Sequence, residues 1–136
     1  QATTGTSEEV LATYTLPANT LSANGKAIRV TAWGTTAANT NSKVVRIRFG
    51  GIGGTSIATY STSSASASWR TDAIVVRTGA ATQESSGVTG FTTASNFVAA
   101  SPTATLSNAV DIVVTGLTAT AAGDMTLKGM IVEALN

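Results

Sequence analysis

Seven carboxylates are the only acid–base groups near neutral pH that the side chains of this sequence offer. Beyond Glu8 and Glu9 they stand apart, at Asp72, Glu84, Asp111, Asp124 and Glu133. Two carboxylates across a glycosidic bond would make a glycosidase, one as acid and one as nucleophile or base. No spacing among these five singles out such a pair, and Asp72 and Asp111 sit mid-strand beside apolar neighbours. Their expected role is to partner an arginine or to face water, and no enzyme activity is expected. The sequence has neither His nor Cys. A Ser-His-Asp or Cys-His nucleophile is therefore excluded, because its base or its thiolate is missing. Ordinary zinc and iron–sulfur sites fall for the same reason, and so do disulfides. No acid-rich loop has the ligand pattern of a calcium site. The glycines at 50, 51, 53 and 54 are not followed by the lysine and helix of a phosphate loop. No cofactor or metal is expected.

The remaining chemistry is that of contact. Arg46 and Arg48 share one face of a strand, and Arg29 lies on the outward face of another. Together they would form a basic stripe for an acidic partner surface, unless cross-strand acids neutralise them. Trp33 and Trp69 are the two tryptophans. On an exposed sheet face they would anchor an interface or stack on sugar rings; buried, they belong to the core. These five residues are the candidate interaction surface.

Strands must position them. Thr and Val prefer a pleated surface to a helix, and short alternating runs recur between Gly, Asn, Ser and Pro. Glu8–Leu16 alternates except at Leu11, and Pro17 ends it. Leu21, apolar in a polar loop, is read as a plug that pins the loop to the core, and Asn24-Gly25 as a tight turn. Lys26–Thr35 puts Ile28, Val30 and Ala32 on one face. Lys43–Phe49 puts Val45, Ile47 and Phe49 on one face. Trp69–Thr78 is apolar on both faces, as a central strand would be. Ala109–Thr115 alternates well. In Met125–Leu135 the apolar parity switches at Gly129, as a glycine bulge with one extra residue would cause. Thr55–Tyr60 is short, and the stretches around Ala81–Ser85 and Phe91–Ala100 are weak. With uneven loops, the expectation is an all-β fold: an eight-stranded antiparallel jelly-roll or Greek-key β-sandwich. Residues 1–7 would be an extended N-terminal arm able to lie on a neighbouring subunit, and 8–136 a single domain.

Composition bounds the partners. Thr, Ser, Ala and Gly make up 75 of 136 residues, and 11% of the chain is charged, with a net charge of +1. Phosphate-neutralising nucleic-acid binding needs far more basic charge. No run of about 18 apolar residues exists, so no membrane-spanning helix is expected. A surface of small side chains loses little entropy on contact, which suits permanent packing against other subunits.

The segment Tyr14–Gly25 (YTLPANTLSANG), followed by Ile28–Gly34 (IRVTAWG) and Ala37–Asn39 (AAN), resembles small β-sandwich proteins of tailed-phage virions. Val44–Gly51 (VVRIRFGG) and Trp69–Ala80 (WRTDAIVVRTGA) continue the resemblance, which spans about residues 8 to 135. It implies a structural protein, and the size of the chain points to a capsid decoration (cement) protein on the exterior of the head. Its implied partners are the major capsid protein and copies of itself, as a dimer or trimer. The alternative is a lectin-like domain of a tail fibre or tailspike that recognises host glycans.

Overall fold

A computed structural model describes residues 1–92 and 94–136. The described residues form nine β-strands and no helix. The strands are β1 (Glu9–Leu16), β2 (Ala27–Thr36), β3 (Lys43–Phe49), β4 (Thr55–Thr62), β5 (Ser68–Gly79), β6 (Thr82–Phe91), β7 (Ala94–Ala100), β8 (Val110–Thr118) and β9 (Met125–Ala134). They build two antiparallel sheets, one ordered β1-β8-β3-β4 and the other β7-β6-β5-β2-β9. The expected all-β sandwich is present, but with nine strands rather than eight.

The core follows the alternation. Ile28, Val30 and Ala32 of β2, Val45, Ile47 and Phe49 of β3, and Val110, Ile112 and Val114 of β8 are all buried. Leu21 is buried as well, so its loop is indeed plugged, and Gly25 takes the positive φ of the expected turn. β5 lies in the middle of its sheet, as its two apolar faces suggested. The extra strand comes from the β6–β7 hairpin, whose sequence hides it. β6 buries Gln83, Ser85 and Thr89 instead of aliphatic residues. Each polar group is satisfied: Thr89 Oγ1 shares a 2.8 Å hydrogen bond with Thr71 Oγ1, Ser85 donates to the Ala100 carbonyl, and Gln83 bonds both backbone groups of Ala104. A buried hydroxyl with a partner carries no unpaid desolvation. Gly87 faces β4 so closely that a Cβ there would stand 2.8 Å from Ala58 Cβ. Tyr60 and Phe91 close the same region with ring centroids 5.1 Å apart.

Four registers slip by one residue, one of them at Thr78 of β5 against β6. Leu11, the break in the β1 alternation, is the extra residue against β8 and turns into the core. Ile57 is extra in β4 against β3, and Lys128 is extra in β9 beside Gly129, where the parity switches. The switch is thus a bulge, as read from the sequence. Tyr14, which shares the parity of Val10, Ala12 and Leu16, is exposed near the strand end. The start of the N-terminal arm lies along β9 of its own chain. The Thr3 amide donates to Met125 O at 3.0 Å, the Leu127 amide donates to Gln1 O at 2.8 Å, and Thr3 is buried. Ala2 bridges Thr126, so the arm covers the start of the β9 edge.

Candidate functional site

The five candidate residues do not form one surface. Arg46 and Arg48 point outward from β3, in the four-stranded sheet, whereas Arg29 and Trp33 lie on β2 in the other sheet. Glu8 takes both β3 arginines. Arg48 donates Nε and Nη2 to its two oxygens at 2.8 and 2.9 Å, and Arg46 Nη1 lies 3.2 Å from Oε2. Thr115 Oγ1 donates to the same carboxylate at 2.6 Å. The Arg48 hydrogen bond first, then Thr115 and the charge of Arg46, pull the Glu8 carboxyl down to about 2 against burial. The two arginines are therefore bridged by one carboxylate in a cluster that ties the segment just before β1 to β3 and β8. Glu8 sits just before β1, and its spacing from β3 in sequence gave no signal of this pairing.

Trp69 is only 2% exposed and stands in the core. It faces Gly34 across the β2–β5 register, and a Cβ at Gly34 would come within 2.6 Å of Trp69 Cζ2. Trp33, the next residue along β2, points the other way and is 37% exposed.

Trp33 belongs to the outer face of the five-stranded sheet. Strand registers set that face out in rows. One row runs Phe97–Val88–Asp72–Thr31–Ile131 across the five strands. The next on one side runs Ala99–Ser86–Ile74–Arg29–Glu133, and on the other side Ser95–Gly90–Arg70–Trp33–Gly129. Trp33, Val88, Phe97 and Ile131 are exposed large apolar side chains, and Phe97 stands proudest at 64%. Thr31 between them is recessed, at 8%. An open depression of about 470 Å³ runs past Thr31 between Trp33 and Ile131, and a second of about 210 Å³ lies by Ile74, Val88 and Phe97. Arg70 donates to both oxygens of Asp72 at 2.7 and 2.9 Å, and Thr31 Oγ1 donates to Asp72 at 2.6 Å. These bonds, the Arg70 one first, hold the Asp72 carboxyl below its ordinary range. Arg29 and Glu133 lie 4.0 Å apart on the same face.

The other acids are likewise engaged structurally. Asp111 accepts from Thr15 at 2.7 Å and Glu84 from Ser101 at 2.9 Å. Asp124 accepts amide hydrogens from Asn39 at 2.6 Å and Asn41 at 2.8 Å. These two asparagines in turn surround the fully buried Lys43, whose Nζ donates to Asn39 O, Asn39 Oδ1 and Asn41 O at 2.8–2.9 Å. No spacing signal in the sequence links Asn39, Asn41, Lys43 and Asp124, the cluster that fixes the β2–β3 loop. Among the described residues, no three acidic side chains gather as a metal site would need. The face can bind by packing and paired charge. Comparison with protein-family models, with curated proteins and with solved structures finds no match to this chain.

Proposed function

We propose that this chain is a structural protein of a tailed-phage particle, a decoration protein on the capsid exterior that stabilises the head by packing against other subunits. The observation that supports the reading is the outer face of the five-stranded sheet. Four of the exposed large apolar side chains, Trp33, Val88, Phe97 and Ile131, share it, amid small residues and internally paired charges. Clustered apolar exposure of this kind marks an interaction site, whereas scattered exposure does not. The resemblance of the sequence to phage sandwich proteins gives the reading its setting. We also read the sandwich as a jelly-roll relative: β8 returns after a long excursion to lie beside β1, as in a Greek key.

The mechanism is mass action: a protein that binds only the assembled shell stabilises it. Heads assembled without this chain should rupture at a lower temperature than decorated heads, and adding the purified protein back should restore the difference. Unchanged shell stability and particle yield would sink the proposal.

A glycan-binding role is the second reading, and the placement of Trp33 beside Arg70 and Glu133 in the larger depression favours it. A glycan-array signal lost in Trp33→Ala, with the fold intact, is its test.

A further inference from the structure

We infer that the occupant of the five-stranded face is a second copy of this chain, bound through a two-fold axis that lies in the face close to the direction of β5. The inference rests on the reading of this face as an assembly surface and names its partner.

Size comes first. Strands of ten residues at about 3.3 Å per residue, five abreast at about 4.8 Å, make a face of roughly 800 Å². One partner in a stable interface contributes about 800 Å². The area is thus what a dimer needs without help from another surface.

Shape comes next. A two-fold along the central strand exchanges β7 with β9 and β6 with β2, and keeps each cross-strand row opposite itself. Contacts in such an interface are reciprocal. In the first row, the protruding Phe97 then meets Ile131 of the second copy, and the exposed Val88 meets the recess over Thr31. In the Trp33 row, the large indole meets Gly90, the smallest residue of β6 on that face. Ile74 meets itself on the axis. Phe97 and Ile131 thus bring two exposed apolar side chains together, while Val88 over Thr31 and Trp33 over Gly90 set large against recessed or small, as interdigitating pleated faces need.

Charge agrees. Arg29, Arg70, Asp72 and Glu133 on the face sum to zero, and on the axis, where Asp72 faces Asp72 and Arg70 faces Arg70 of the second copy, each charge has its opposite two residues away on its own strand. Arg70 already pairs with Asp72 on its own strand, so neither charge is stranded when water leaves. Next to the axis, the guanidinium can share its fork with Asp72 of the second copy.

Light scattering on the purified protein at high micromolar concentration should give about twice the chain mass of 13.6 kDa. Phe97→Glu and Ile131→Lys, both at exposed positions, should each halve that mass while leaving the β-sheet circular dichroism unchanged. Combined in one chain, the introduced acid and base meet across the axis twice, and the dimer should return. A wild-type monomer overturns the inference. So does a dimer that survives either single substitution, and a double variant that stays monomeric overturns the axis. Shell binding keeps the two readings apart: if a monomeric variant still sediments with heads and protects them, the decoration reading stands and its contact with the shell lies elsewhere. If wild-type dimers leave heads unbound and unprotected, the dimer stands and the decoration reading falls.

Discussion

Trp33 lies across the backbone of Gly129, its direct neighbour on the adjoining strand, in the space a side chain at 129 would fill. A Cβ there would stand 2.6 Å from Cη2 of the indole. The glycine therefore serves the bulge and the tryptophan together. Gly129→Ala should lift the indole from the sheet and cost about 1–3 kcal/mol, as overpacking does. Urea unfolding should show this as a lower midpoint at constant slope, and Trp33→Ala should remove most of the penalty.

The two tryptophans should report separately. With Trp69→Phe, the emission left is that of Trp33, red-shifted and open to an aqueous quencher. With Trp33→Phe, the emission left is that of the 2% exposed Trp69, blue-shifted and protected. Equal quenching in the two variants would contradict the placement of both rings.

Glu8 gives a pH signature. Its folded value, about 2, lies below the ordinary 4.5. The folded state thus holds the charged form more tightly than the unfolded state does. The resulting stability is complete above about 4.5 and is lost as pH falls toward about 2. A shift of that size corresponds to about 3 kcal/mol. Glu8→Gln should therefore unfold more easily at neutral pH by about 2–3 kcal/mol, and the gap should close on acidification. A gap that is constant from neutral pH down to about pH 2 would show that the Arg48 and Arg46 pairs contribute nothing.

Lys43 should behave as part of a unit. Lys43→Met leaves the Asn39 and Asn41 carbonyls without the lysine donor and Asn39 Oδ1 with the Asn41 amide alone, and Asp124→Asn replaces one of the two oxygens that accept from the asparagines. Each substitution should lower the thermal midpoint, and the double variant should lose less than the two single losses combined. Strict additivity would show that the lysine and the aspartate act independently.

Where apolar residues alternate, the sequence announced its strands. Ile28–Ala32, Val45–Phe49 and Val110–Val114 point inward as their spacing requires, and Leu11 and Gly129 marked real bulges. The β6–β7 hairpin stayed faint because Gln83, Ser85 and Thr89 fill its inner side, and buried hydroxyls look like loop residues until their partners are known. The basic stripe failed for a related reason. Alternation assigns a residue to a face but not to a sheet, so Arg29 could not be separated from Arg46 and Arg48, and Glu8 was invisible as their partner. Trp33 and Trp69 are of opposite sidedness, which only the pairing of each with its glycine reveals.

The treatment of the sheet borders bears on how such a protein survives at high local concentration. An open border with a row of unpaired amides is a template on which further chains add as strands, and the end of that process is a fibril. Here β1 is bent by Leu11 and β4 by Ile57, while the Gln1–Thr3 segment is hydrogen-bonded over the start of β9. At β7, Asn96 reaches over to the Thr59 carbonyl of β4. Growth by strand addition is thereby hindered at each border, which leaves the sheet faces, finite in area, as the surfaces open to contact.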